Sequence, residues 1–462
     1  MKILAFQLVG SLINYSILSY LKLACVTRSI CFFIQILYHM VTPKVNSFCV
    51  RLFYFVFISW LGILVLEAMK PRAQHSSSLH LKKLDLFFTS VSASTVSSMS
   101  AVEMEVFSDA QLVVLTALML IGSEVFVSML GLFLRLSNRR NFSETEFRVS
   151  DQDHQLQIME LGTETTSVPP EEHYLKNKCI GLLGFVVLFY LVASHVVGVA
   201  LVWLYVALSS TAKEVLKSKG LNLATFSVFT IVSTFSSCGF IPTNENMAVF
   251  RKNSGLLLIL IPQALGGNTL FPSCIRLLIW FLGKFVKKEE SKYLLENTKK
   301  IGYMHLLPGL HTRLLVLTVL GFISLQFVMI CCLEWSSDSL GGLSTNYERV
   351  VGVLFQSVNS RHTGETVADI STFSAANLIM FVFMMYLPPY TSFIPIRKHE
   401  ENEVNGNRRK RNGTGIQNSN FFFSQTSYLV IFVVLVCITE RNKLKEDPIN
   451  FSVLNIVVEV IR

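Results

Sequence analysis

Seven apolar runs dominate the chain, each near the length a helix needs to cross a lipid bilayer. They fall at about 48–68, 110–135, 178–208, 254–283, 312–334, 373–396 and 422–439. A hydrocarbon core of ~30 Å takes about 20 residues of helix. Inside lipid the backbone must satisfy its own hydrogen bonds, so a chain crosses as helices or as a closed barrel. Runs this long favour helices. Composition agrees, with 51% hydrophobic residues, 15% charged residues and a mean hydropathy of +0.50 over 462 residues. A soluble domain carries about 25% charged residues. The expected class is an all-α, multi-pass membrane protein.

The polar stretches between the runs carry much of the charge. Residues 136–176 hold Arg139, Arg140 and Arg148 among many acids and read as a flexible loop. Residues 284–306 hold Lys284, Lys287, Lys288, Lys292, Lys299 and Lys300, and residues 397–418 are rich in Arg and Asn. If helices alternate in pairs, these three stretches share one side, which the positive-inside rule makes cytoplasmic. The opposite side also carries lysines, among them Lys82, Lys83, Lys213, Lys217 and Lys219. The net charge of +9 therefore serves topology rather than nucleic acid. The nine cysteines form no CxxC pair and read as small apolar residues in helices. The histidines show no metal-ligand spacing, and no cofactor motif is present. Residues 1–44 are apolar but interrupted by Lys22 and Arg28, and read as a helix along or dipping into the membrane.

Between paired runs lies a shorter, hydroxyl-rich segment, too short to span as a helix. It appears as LFFTSVSASTVSSMS at 86–100, FSVFTIVSTFSSCGFIP at 226–242 and VLFQSVNSRHTGETV at 353–367. Each starts apolar, turns rich in Ser and Thr, and reaches a small residue: Ser98, Gly239 or Gly364. The segments recur about 125–140 residues apart in the same sense, which counts against an inverted-repeat carrier. A short helix entering from outside points its negative dipole end at the pore centre. Extended backbone after it can offer carbonyl oxygens to a cation in place of water. Glycine suits that backbone. The unit is helix, pore loop, helix.

SVSASTVSSMSAVEMEVFSDAQL, STFSSCGFIPTNENM, FQSVNSRHTGET and ITERNKLKEDPINFSVLNIVVEV resemble the four pore-loop regions of the plant high-affinity potassium transporter (HKT) family, within the Trk/Ktr/HKT superfamily. The resemblance runs from about residue 45 to the end. It implies four pseudo-repeats around one pore, with Ser98, Gly239 and Gly364 as filter residues. It also implies sodium-selective uniport, because Ser in the first loop accompanies sodium selectivity and Gly there accompanies potassium permeation. The implied partners are sodium and potassium ions and the bilayer of the plasma membrane; a homodimer rests on resemblance alone. The expected divisions are 1–44, a first pore unit at 45–136, a loop at 137–176, a second unit at 177–283, a loop at 284–311, a third unit at 312–396, a loop at 397–420, and the start of a fourth unit at 421–462. The family's fourth filter glycine would fall just beyond Arg462. The expectation is therefore an incomplete fourth unit: either part of a working transporter, or a truncated chain that is inactive or disturbs full-length partners.

Other residues invite roles. Glu103 and Glu105 follow the first loop, and Asn244 and Glu245 follow the second; they could gather cations at the mouth. Glu124 lies within an apolar run and either faces the pore or bonds a neighbouring helix. Gly266, Gly267 and Pro272 interrupt another run in LGGNTLFP, as a gate, a broken helix or a plain kink. His195 reads as packed core, and Arg276 as snorkelling to the cytoplasmic interface. Sequons stand at Asn141 and Asn412 on the cytoplasmic side and at Asn450 outside. The sequence has no GxxxxGK[ST], HExxH or GxSxG, so neither nucleotide-driven pumping nor hydrolase chemistry is expected.

Overall fold

A long leading helix, a half-length pore helix and a trailing helix follow one another three times in the computed structural model. The structure describes residues 47–72, 82–136, 170–286 and 288–387, apart from 336, 338, 339 and 344, together with Tyr390 and scattered positions between 432 and 460. Every regular element among them is helical. The N-terminal segment, residues 137–169, the 397–420 loop and most of the fourth unit lie outside the described residues.

The leading helices are Ser47–Ala68, Pro170–Leu208 and Gly309–Glu334, of 22, 39 and 26 residues. All three are long and apolar enough to cross a membrane. Phe185, Phe189, Val196, Trp203, Leu317 and Val328 stand exposed on them. In water such faces would be a liability, but toward lipid tails they are matched. The pore helices are Lys83–Thr95, Leu223–Ser236 and Asn346–Asn359, of 13, 14 and 14 residues. Their start signals are plain. Asn222 accepts from the Ala224 N–H, and Thr345 with Glu348 forms a reciprocal capping box. Most of their hydroxyls are buried, and several bond backbone carbonyls: Ser90 donates to the Ser59 carbonyl at 2.8 Å and Ser227 to the Leu223 carbonyl at 2.9 Å. Small hydroxyl residues permit this close packing of helices.

The trailing helix of the first unit, Asp109–Gly122, packs on the second pore helix, and that of the second, Ser254–Gly267, packs on the third pore helix. The three units thus follow one another by a repeated relation. One core joins the first two units through Phe107, Phe226, Phe229 and Phe250, and takes in Phe355 from the third. A separate cluster centres on Ile330, Val353 and Phe381 in the third unit. Truncating a fully buried Phe such as Phe229 to Ala costs about 3–5 kcal/mol.

Two trailing helices are broken. Asp109–Gly122 continues as Glu124–Leu136 after a 56° bend, and Ser254–Gly267 as Phe271–Phe285 after an 83° bend. A Cβ at Gly122 would overlap the Ser94 carbonyl oxygen, and one at Gly267 the Phe235 carbonyl oxygen. Ser94 and Phe235 each stand next to last in their pore helix. The breaks are therefore the same device twice: a side-chain-free turn pressed under the end of a pore helix.

Three sequence boundaries shift. The second leading helix begins at Pro170, inside the stretch read as a loop to 176. Proline at the first helical position and two following glutamates suit a helix start. The 284–311 stretch holds helices Lys288–Glu296 and Thr298–Ile301, and Leu294, Ile301 and Leu306 bury against Cys179, Ile180 and Leu183. It is a docked helical segment because those apolar residues have a core to enter. The run read at 373–396 gives a helix of 12 residues, Ala375–Tyr386. Leu387 then turns extended before Pro388, as a residue preceding proline prefers.

Candidate ion pathway at the pore loops

Each pore helix is closed by a backbone bond to the carbonyl five residues back, although the third is capped by Ser360 in the right-handed region. The N–H of Ser97 bonds the Ser92 carbonyl at 3.0 Å, that of Cys238 the Ser233 carbonyl at 2.9 Å, and that of Gly364 the Asn359 carbonyl at 3.0 Å. In the first two helices this bond closes the turn over the cap residue, and the same carbonyls also accept from the N–H groups of Val96 and Ser237. Val96 and Ser237 cap the first two helices in the left-handed region, with φ of 57° and 64°. The next left-handed positions are Ser98, Gly239 and Gly364, with φ of 64°, 72° and 73°. One backbone conformation therefore recurs at all three positions that the sequence singled out. Glycine holds it freely, whereas an L-residue pays about 1–2 kcal/mol. Ser98 carries that strain; Ser92 Oγ steadies the loop by accepting from the Met99 N–H at 2.9 Å.

The structure also brings these positions together. A Cβ on Gly239 would overlap the Thr363 carbonyl oxygen and lie 3.2 Å from Ser98 Oγ. Loops one, two and three thus converge on Gly239, which has no room for a side chain.

Above this meeting point the acids are tied together. Asn244 donates through Nδ2 to Glu103 at 2.8 Å and through its backbone N–H to Glu105 at 3.1 Å, while Glu105 N–H donates to Asn244 Oδ1 at 3.3 Å. Lys219 Nζ lies 2.8 Å from Glu105 and 2.7 Å from Glu245. The Lys219 ammonium holds the Glu245 carboxyl below its usual range. Arg72 donates to the Lys219 carbonyl at 3.2 Å and pairs with Asp109 at 3.2 Å. The cluster stitches the first unit to the second. Lys219 bonds Glu105 and Glu245 while Glu103 bonds Asn244, and Arg72 is matched by Asp109, so three glutamates beside one ammonium leave the cluster net negative. Lys219 went unassigned because a lysine in a polar stretch carries no signal of its partners.

Glu124 stands just beyond the first break, with its side chain 59% exposed and 3.8 Å from His305 Nε2. At the second break, Gly266 offers its carbonyl to the Tyr190 hydroxyl at 2.8 Å, and Pro272 occupies the first turn of the following helix. Between them Thr269 Oγ1 bonds His362 Nε2 at 2.7 Å, so the break reaches the third loop close to Gly364. His195 packs on Phe235 at 4.6 Å between ring centres and bonds the Leu191 carbonyl at 2.7 Å. Arg276 reaches the Leu307 carbonyl at 2.9 Å. Sequence reading passed over Gly122, taking 110–135 as one continuous run; its repeat relation to Gly267 marks it.

Comparison with known proteins decides the family. The family model described as "TrkH: Cation transport protein" matches residues 170–462. Cation transporter HKT1;3 of Oryza sativa subsp. japonica is 46% identical over 434 residues, which is 90% of this chain and 79% of that protein. Sodium transporter HKT1 of Arabidopsis thaliana is 48% identical over 404 residues, 86% of this chain and 78% of that protein. The chain belongs to the Trk/HKT family of cation transporters. Potassium transporter TRK1 of Candida albicans is 27% identical over 300 residues, 61% of this chain and 28% of that protein. The solved potassium transporter TrkH from Vibrio parahaemolyticus is 14% identical with a TM-score of 0.43, covering 74% of this chain and 57% of that one. Membership in the Trk/HKT family makes this a membrane transporter of cations, not an enzyme.

Proposed function

We propose that the chain passes sodium in preference to potassium, as a channel-like uniporter of the plasma membrane, with Ser98, Gly239 and Gly364 as filter positions. The observation that carries this reading is the shared left-handed backbone at three converging positions, of which the first alone bears a side chain. Replacing hydrogen with a hydroxymethyl group at Ser98 breaks the equivalence of the ring. A potassium ion needs several evenly spaced oxygens to replace its water, and an unequal ring serves it worse than it serves the smaller sodium ion. The Arabidopsis relative, named a sodium transporter, supports the same direction. Flow follows the electrochemical gradient, since no nucleotide motif offers another source of work. The net negative cluster of Glu103, Glu105 and Glu245 around Lys219 raises cation concentration at the mouth. The break at Gly266, Gly267 and Pro272 serves as a gate below the loops.

Oocyte current recording tests the reading, with the chain joined to a family-type fourth loop and last helix and the baths alternating between sodium and potassium. Sodium current in excess of potassium current supports it. Surface delivery without current in either bath overturns it.

A further inference from the structure

Glu365, directly after the third filter position, is fully buried, as is Thr234 near the end of the second pore helix. Glu365 Oε1 lies 2.6 Å from Thr234 Oγ1, while the other carboxyl oxygen, Oε2, is buried without a hydrogen-bond partner. Thr234 Oγ1 also lies 2.8 Å from the Thr230 carbonyl oxygen. A hydroxyl has one proton to give. If Thr234 gives it to the carbonyl, which can only accept, the contact with Glu365 needs a proton from the carboxyl side. Glu365 as a neutral acid satisfies both contacts: it donates to Thr234, and Thr234 donates to Thr230. A bare carboxylate would leave two acceptors competing for one proton inside a site without water contact, which is costly.

The ionisable groups around it are otherwise engaged. His362 bonds Thr269 and the Val358 carbonyl, and Arg361 lies over the Phe322 ring at 5.3 Å. Cys238 faces Glu365 from the second loop as a buried thiol. The second pore helix, LATFSVFTIVSTFS, and the trailing helix beside it, SGLLLILIPQALGG, carry no charge. No cation on these elements is paired with this acid.

We propose that the Glu365–Thr234 hydrogen bond is a brace that sets the spacing between the second and third filter loops, and through it the ion preference. It spans the seam where Gly239 meets the Thr363 carbonyl, and both its ends lie close to a filter position: Thr234 before Gly239 and Glu365 after Gly364. Glu365 is a positioning residue; it touches the loops' framework, not the ion. The Glu365 N–H, bonded to Thr363 Oγ1 at 3.3 Å, ties the same residue to the carbonyl-bearing side of the seam.

The inference rests on the cation-pore reading, and its test keeps the two apart. The chain continued through a family-type fourth loop is expressed in oocytes with Glu365→Gln, Glu365→Ala, Thr234→Ser and Thr234→Val. Surface amount is measured by biotinylation, and reversal potentials are read in sodium and potassium baths. Gln can donate as the neutral acid does, and Ser keeps the hydroxyl, so both retain the parent's sodium-to-potassium permeability ratio. Ala and Val break the brace, and each shifts that ratio by about fivefold, the scale of one hydrogen bond of ordinary net strength. Thr234→Val carries the test if Glu365→Ala fails to reach the surface. The brace is overturned if Val and Ala lower current only in step with surface amount, at an unchanged ratio. It is overturned equally if Gln behaves as Ala does, because the carboxyl would then act as a charge. A parent without cation current sinks the pore reading, and the brace with it.

Discussion

Placing serine at Gly239 tests whether the three proposed filter positions are interchangeable. By sequence alone, Ser98 and Gly239 occupy equivalent places, so a Ser tolerated in one loop should be tolerated in the next. The structure says otherwise. Both positions share the left-handed backbone, at 64° and 72°, so each serine bears a conformational cost of about 1–2 kcal/mol. At position 239 the new Cβ also overlaps the Thr363 carbonyl oxygen, a backbone atom that cannot swing aside as a side chain can. Forced overpacking of this kind adds about 1–3 kcal/mol. The total of about 2–5 kcal/mol displaces the third loop in most molecules, since ~1.4 kcal/mol is already tenfold in an equilibrium. Oocyte currents normalised to surface amount provide the assay. Gly239→Ser is expected to lose most sodium current, whereas Ser98→Gly keeps current and relieves strain. Full-size current with unchanged ion preference from Gly239→Ser would refute the argument that the loops meet at this residue.

Further outcomes follow from the same geometry. Gly122→Ala and Gly267→Ala press a methyl group into the carbonyls of Ser94 and Phe235; each should lower the melting temperature of the detergent-purified protein and reduce current more than Gly131→Ala, where a Cβ meets nothing. Lys219→Gln releases Glu105 and Glu245, so inward current at low bath ionic strength should rise, and the gain should shrink in high salt as screening sets in. Because Lys219 lowers the Glu245 carboxyl, the clamp's contribution is present above the ordinary carboxylate range and is lost as pH falls through the lowered value. Acid baths should therefore loosen the mouth in the parent and change little in Lys219→Gln, read as hydrogen exchange of the 243–246 turn. Glu334 accepts from the Ser374 N–H at 2.7 Å and from Asn377 at 3.0 Å, which caps the third trailing helix. Glu334→Leu should destabilise the third unit by about 1–3 kcal/mol, measured by thermal unfolding.

Much of the architecture was legible because lipid imposes a coarse rule. Apolar runs of spanning length gave the leading helices, and the hydroxyl-rich half-length segments gave the pore helices with Ser98, Gly239 and Gly364 at their ends. Helix bounds were less legible where tertiary burial decides: the Lys288–Glu296 helix looks like a charged loop until Leu294 finds Cys179 and Ile180. Long-range pairing was not legible at all. Glu105 and Lys219 lie far apart in sequence, and nothing local shows that one neutralises the other. Glu365 sits in a quoted motif, but its meaning depends on Thr234 in another unit. Gly122 gained its reading only beside Gly267, once both were seen under pore-helix ends.

The most direct test of the filter assignment is the reversal potential of the chain, continued through a family-type fourth loop, in sodium and potassium baths, with Ser98→Gly beside the parent. The account predicts sodium current in the parent and added potassium current in the Gly variant, because removing the hydroxymethyl group makes the three positions alike. Identical ion preference in parent and variant, both at the surface and both conducting, would contradict it.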